Sequence, residues 1–509
     1  MKRVPGQVTV FLSLTALSLF ALFSTCLEGA RCACLDYLCN QTANSSLRSV
    51  FAGFQGETMR DYGLLICRGR DGYDTVWQDV FLEHAGKYLR PGEGTFFSDG
   101  DRIGLRSMEI TDADAVYLTE DNGAVFREAA LSYMKSAGLS LLLQEVLGRL
   151  GLYSEEEGAG FLENIRNMIA DKDSSLEGII NNLDEIKEQA AALQEEARQR
   201  AEESEAGYEP PAGTSDDVST DLLEQIRAIR KNGLIAVITG DEALSGHSRE
   251  DAALPSRLPD AEKSLHAGFG SEPDTMLNHL LLGEYVQHKM SSYTSQSGGD
   301  ALYEAEYVLT GRKTDKASFE TAVGEILLIR MGFNLAYLAT DAEKTAMAEA
   351  TAAAIMSLLA LPQLILLLKW LLLAAWALAE SIVDVRGLVR GKKIPLWKSA
   401  GTWKLSTMKL DLSAEGGGTA GLSYEDYLRV LFFLGDPEAQ SYRMMDVIQE
   451  RIGKAVPGFR MRDYMVWASV SLKADVSYLY VNAPLVRTKT RLRTGRRFIK
   501  EAAYGYGRR

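Results

Sequence analysis

The 509-residue chain is 46% hydrophobic and 24% charged, long enough for two or more packed domains. Its mean hydropathy of -0.10 is too polar for a multi-span membrane protein. The 69 acidic residues outnumber the 55 basic ones for a formal net charge of -14, which leaves no global positive field to hold nucleic acid. Four of the five cysteines fall within the first 40 residues, too few and too bunched for a disulfide scaffold, and no Cys/His cluster completes a zinc site.

The chain opens on Lys2 and Arg3, then runs from Val8 to Leu27 without a charge. Twenty such residues match the helix length that crosses a bilayer core, with Val8, Phe11, Leu12, Leu14, Leu17, Phe20, Leu22 and Phe23 as its apolar surface. Basic residues before the run and Glu28 and Asp36 after it place the N-terminus inside, predicting a single-pass cell-membrane protein with its bulk extracytoplasmic. A signal peptide cut after Gly29-Ala30 competes; the long apolar region favours an uncleaved signal anchor. In an oxidising compartment Cys32, Cys34, Cys39 and Cys67 are candidates for one or two disulfides, with three pairings open. Leu35, Leu38, Leu47, Val50 and Phe54 recur at roughly helical intervals, so residues 1–60 read as an anchor continuing as an amphipathic stalk.

Residues 61–152 read as an α+β region ending in a helix over 125–152. In 153–232 the apolar seam Leu176, Ile179, Leu183, Ile186 and Leu193 predicts a coiled-coil-like tract. A second helix over 222–231 follows the linker 207–217; an antiparallel hairpin and a homodimeric stalk both fit, so a homo-oligomer stays open. Residues 233–275 form a loop-rich linker. The helical region 276–400 holds helices over 276–290 and 319–338, a strand over 301–309, and an apolar helix pair over 352–385. Of residues 352–379 only Lys369 is charged, enough to span a bilayer; a buried pair broken at Pro362 is the favoured reading. The α+β region 401–486 carries helices over 424–433 and 442–452 and an alternating strand over 467–480. Residues 487–509, with nine Lys or Arg against one Glu, read as a solvated basic tail. The fold class is therefore α+β, mostly helical.

No nucleophile elbow, phosphate loop or paired-histidine zinc helix occurs, so the expectation is a non-enzymatic protein with no cofactor and no metal. Asp112, Asp114, Glu120 and Asp121 form an acidic patch that fits no twelve-residue calcium loop and reads as a solvated turn.

The opening Gly6-Gln7-Val8-Thr9-Val10-Phe11-Leu12-Ser13-Leu14, with the exit Glu28-Gly29-Ala30-Arg31, resembles an uncharacterised Firmicutes family related to tight-adherence (Tad) pilus components. Further blocks that resemble it are Tyr307 to Lys313, Ile329-Arg330 with Asn334, Trp376 to Ser381, Gly391 to Leu396 with Lys398, Leu422 to Leu428, and Tyr442 to Asp446. The resemblance implies a membrane-anchored extracytoplasmic protein whose partners are pilus or secretion-system proteins. Pilin-like subunits keep a glutamate five residues past the glycine at which they are cut; counted from Gly6 that position is Phe11, which points to a permanent anchor or accessory subunit. The alternatives are a cell-wall-modifying hydrolase acting through a carboxylate pair and a two-span component of the pilus assembly platform.

Overall fold

The computed structural model describes residues 6–89, 104–136, 234–240, 244–258, 275–295, 302–358, 364–405, 416–479 and 495–506. The coiled-coil seam expected at Leu176, Ile179, Leu183, Ile186 and Leu193, the linker 207–217 and the helix 222–231 lie outside them. In chain order the elements are α1 (Gly6–Ala52), α2 (Gly56–Tyr62), the short strands β1 (Cys67–Arg68), β2 (Arg70–Asp71) and β3 (Asp74–Thr75), α3 (Trp77–Leu89), β4 (Leu105–Tyr117) and α4 (Ala124–Ser136). Then come α5 (Leu234–Thr239), α6 (Met276–Lys289), α7 (Glu304–Thr310), α8 (Asp315–Thr340), α9 (Ala342–Leu358) and α10 (Ile365–Val389). The chain closes with α11 (Tyr424–Leu434), α12 (Pro437–Ala455), β5 (Tyr464–Ser477) and β6 (Gly495–Gly505). The described chain is mostly helical with antiparallel strands.

Two compact units form, and neither is a continuous stretch of sequence: unit 1 takes Met1–Tyr133, Ala252–Glu272 and Ile448–Arg509, unit 2 takes Met134–Asp251 and Pro273–Val447. This differs from the successive segments read from composition, because β5 near the C-terminus is the central strand of the N-terminal unit. It pairs antiparallel with β4 on one side; on the other it meets β6 and, at its start, β1, with Cys67 opposite Met465 and Trp467 opposite Gly505. Buried and half-buried residues alternate along β5, so one face is core. Against that face lies the second half of α1, whose buried residues Cys32, Leu35, Cys39, Ala43, Leu47 and Phe51 recur every three or four positions. The α3 stripe Trp77, Phe81, Ala85 and Leu89 completes the layer.

Two expected elements are corrected. Residues 301–309 are not a strand: α7 begins at Glu304 and stops at Gly311, whose φ of 67° permits the left-handed cap. Residues 495–505 are not a solvated tail, since β6 places Phe498 and Ala502 in the core.

Unit 2 is built on α8, with α7, α9 and α10 packed beside it and α6 against α11. Local chemistry sets its helix starts. Thr275 caps α6 through Asn278 N–H and Thr314 caps α8 through Ala317 N–H, while Ser423 and Asp426 form a reciprocal capping box on α11. Gly387 in α10 lets the backbone of Gly416 lie directly on the helix, a place with no room for a Cβ.

Candidate functional site: an exposed apolar helix and a buried ionic core

The first half of α1 is bare. Val8, Phe11, Leu12, Leu14, Leu17, Phe20, Leu22 and Phe23 are each 53 to 68% exposed, and none of the helix's most apolar window is buried. Four of its hydroxyls bond within the helix, among them Ser13, which donates to Val10 O at 2.9 Å, Thr15 to Phe11 O at 3.0 Å and Thr25 to Leu22 O at 2.8 Å. Such internal satisfaction is what hydrocarbon demands, because lipid offers polar groups no partner. By length and composition α8 and α10 could also cross a membrane, but about half of each apolar window is buried in unit 2, 56% and 50% respectively.

Where the bare segment ends, Glu28 and Arg31 seize the end of β5. Arg31 Nε donates to Glu28 Oε1 at 3.0 Å and Nη2 to Ser477 O at 2.6 Å, while Leu479 N–H donates to Glu28 Oε2 at 3.1 Å. Further along α1, Lys500 Nζ donates to Asp36 at 2.9 Å, and Tyr506 donates its hydroxyl proton to Phe51 O. The Glu-x-x-Arg pattern thus fixes the level at which the helix leaves the globular unit. Glu28→Ala strands the Leu479 amide and removes the Arg31 counter-ion, a loss of about 2 kcal/mol. Faster hydrogen exchange at Leu479 and a lowered melting temperature would register it; unchanged exchange there would refute the clasp.

The expected disulfides do not form. All five cysteines are free, with Cys32, Cys39 and Cys67 buried and Cys26 and Cys34 exposed. Cys32 and Cys39 lie seven residues apart on one helix, about 10 Å, beyond the Cα separation a disulfide bridges. Cys67 instead directs its thiol at Val50 O, 3.2 Å away, near the far end of α1, and burial pushes that thiol up to about 11, leaving it protonated. The acidic patch lies on and after β4, and among the described residues no group of three or more His, Cys, Asp or Glu side chains could hold a metal ion.

Unit 2 encloses a second constellation. Arg330 on α8 and Asp384 on α10 form a fully buried ion pair at 2.8 Å. Lys398 Nζ donates to Asp384 Oδ1 and Glu380 Oε1, both at 2.7 Å. Two cations thus face two anions. The remaining valences go to backbone and neutral side chains: Arg330 Nη1 donates to Pro395 O at 3.1 Å and Leu396 O at 2.9 Å, and Lys404 and Leu405 N–H donate to Glu380 at 2.9 and 3.0 Å. Asn334 donates to Ser381 Oγ at 2.9 Å, and Arg330 to Tyr427 Oη at 3.2 Å. With its donors and acceptors engaged by the protein itself, the cluster clamps the non-helical 394–405 segment between α8, α10 and α11.

A neighbouring acidic group is less complete. Glu306 on α7 accepts from Tyr293 N–H at 2.9 Å and Tyr424 Oη–H at 3.0 Å through Oε1, while Oε2 is buried without a hydrogen-bond partner. Burial, aided by the charge of Asp315, pushes its carboxyl up to about 7. Next to it, Tyr307 donates to Asp446 at 2.6 Å.

A family described as of unknown function, DUF5702, matches residues 212–476, just over half of the sequence. The chain belongs to this family. No curated protein and no solved structure matches it. The matched range contains the whole ionic core and the Glu306 group, and most of β5, but not α1. The blocks singled out in the sequence converge here: Arg330, Asn334, Glu380, Ser381, Lys398 and Tyr427 share one network, and Tyr307, Tyr424 and Asp446 surround Glu306. Sequence reasoning missed Asp384 and Glu306. A signal for Asp384 was available, since two acids one helical turn apart, Glu380 and Asp384, in a largely apolar helix call for a buried cation.

Proposed function

We propose that this chain is a membrane-anchored extracytoplasmic structural or accessory protein that works with a Tad-like pilus or secretion apparatus. One observation carries the anchoring: a single continuous helix is bare and apolar from Val8 to Leu27 and becomes the core of a globular unit directly after Glu28. Burying such a surface in lipid gains about 25 cal/mol for each Å² removed from water, so the segment does not rest in solvent. Lys2 and Arg3 hold the N-terminus inside, and the remaining chain is displayed outside as a binding scaffold. The Tad association rests on the sequence resemblance of the anchor and of the blocks that meet in unit 2.

Fractionation of cells producing the full chain tests the anchor, with full-length protein expected to stay with membranes through an alkaline carbonate wash. Cysteines engineered near Asp216 and Ser423 should both react with an impermeant reagent applied to intact cells. Reaction near Asp216 alone would require a second crossing, and full-length protein in the soluble fraction would remove the anchor altogether.

A further inference from the structure

We propose that the Lys398 amine and the Asp384 carboxyl condense to an internal amide, a cross-link that the buried cluster of unit 2 forms on itself with loss of one water. The cluster holds more than two ion pairs. Asp384 answers Arg330 at 2.8 Å and Glu380 answers Lys398 at 2.7 Å, which already balances the four charges. The second contact of Lys398, 2.7 Å to Asp384 Oδ1, goes beyond that balance and sets the amine nitrogen against a carboxyl group. A nucleophile, a proton carrier and an electrophile therefore meet in one place, and all three side chains are at most 1% exposed.

Each group has the support its role requires. Glu380 Oε1 takes a proton from Lys398 and frees the nitrogen lone pair, while Lys404 N–H at 2.9 Å and Leu405 N–H at 3.0 Å hold the Glu380 carboxyl in position. Nζ then attacks Asp384 Cγ. The charge pushed onto Oδ2 meets three donors: Arg330 Nη2 at 2.8 Å, Arg330 Nε at 3.2 Å and Asn334 Nδ2 at 3.1 Å. Glu380 has only neutral backbone donors beside Lys398, so the guanidinium makes Asp384 the electrophile and leaves Glu380 to move protons. Oδ1, which takes its hydrogen bond from Lys398, is the oxygen that departs. The C–N bond forms and the C–Oδ1 bond breaks with no change of oxidation state. Two of the three ammonium protons pass through Glu380 to Oδ1, which leaves as water, and the third stays as the amide N–H. Arg330 and Glu380 remain, one cation and one anion, so the core is still neutral.

Burial favours this condensation where free solution does not. In water the two groups are solvated as ions and the solvent reverses the reaction; in a dry core they are held together and the water that would reverse it is kept out. The exposed residues Ser399 to Gly401 directly follow Lys398 and give the released molecule a way out. The bond would join positions 14 residues apart and tie the 394–405 segment covalently to α10.

The inference is independent of the membrane reading, since every residue in it belongs to unit 2. Mass spectrometry of the full chain, purified in detergent and then denatured in acid, reads the bond directly. The native chain should be lighter by one water than the mass calculated from its sequence and its observed N-terminus. Its tryptic digest should contain a branched peptide joining Asp384 to Lys398, after which trypsin no longer cuts. Lys398→Arg, which keeps the positive charge, and Glu380→Gln should both restore the full mass. A native chain at its full calculated mass would overturn the proposal, whatever the variants do. So would a missing water that persists in Lys398→Arg, or a branch located at Glu380. A branched peptide formed to the native extent in Glu380→Gln would overturn the proton-carrying role of Glu380.

Discussion

Replacing Asp384 by Ala should destabilise unit 2 by about 3–5 kcal/mol, the cost of breaking a buried ion pair while its partners stay in place. Asp384 serves two cations at once, accepting from Arg330 at 2.8 Å and Lys398 at 2.7 Å. Its removal leaves one uncompensated positive charge in a region where all four side chains are at most 1% exposed. Lys398→Met errs in the other direction, leaving two carboxylates against one guanidinium. Because both substitutions damage one charge balance, the double variant should cost at least ~1 kcal/mol less than the sum of the singles. Urea unfolding of the detergent-solubilised full chain, followed by the fluorescence of Trp376 and Trp403 beside the cluster, measures all three. Strictly additive losses of ~0.5 kcal/mol or less would mean that these charges do not clamp the 394–405 segment.

The network is not evidence of unusual stability, since apolar residues of equal volume often do as well. What it provides is position. An apolar core would accept several placements of the 394–405 segment, whereas Arg330 accepts only one in which Pro395 and Leu396 present their carbonyls to it.

How much of this was legible in the sequence depended on how local the cause was. The long apolar N-terminal helix needed nothing but a charge-free run of sufficient length, and the eight residues read as its apolar surface are exposed on α1. The strand β5 was legible because its alternation reflects a real difference between two faces. The same rule failed at 301–309, where Glu304, Ala305, Glu306, Tyr307 and Val308 are all buried, so polarity along the segment says nothing about facing. It failed in the opposite sense at 495–505, where the density of arginine and lysine hid a strand held by only two core side chains, Phe498 and Ala502. Arg497 and Lys500 are charged there because they answer acids elsewhere, Asp475 on β5 and Asp36 on α1. The ionic core was out of reach for a related reason. Arg330 meets Asp384 across 54 residues and Tyr427 across 97, and no spacing rule connects positions that only tertiary packing brings together.

The Glu306 carboxyl should make unit 2 lose stability as the pH rises through neutrality. Its pKa is raised in the folded chain to about 7 from an ordinary 4.5, chiefly by burial and then by the charge of Asp315, against the opposing hydrogen bonds from Tyr293 and Tyr424. Below pH 4.5 folded and unfolded chains both hold the proton and the group contributes no pH dependence. Between 4.5 and 7 the unfolded chain releases the proton that the folded chain retains, so folding stability falls, and above 7 the full penalty is present. For a shift of this size the change between pH 5 and pH 8 is about 2.5 kcal/mol. Glu306→Gln keeps an acceptor for Tyr293 and Tyr424 but cannot ionise, so the variant should gain about that much relative to the native chain over the same interval. Thermal unfolding at pH 5, 6.5 and 8 would show it as a narrowing, then an inversion, of any deficit the variant has in acid. If the two chains kept a constant difference across the series, Glu306 would have to be ionised in the folded state at neutral pH, with a partner for Oε2 that the described residues do not supply.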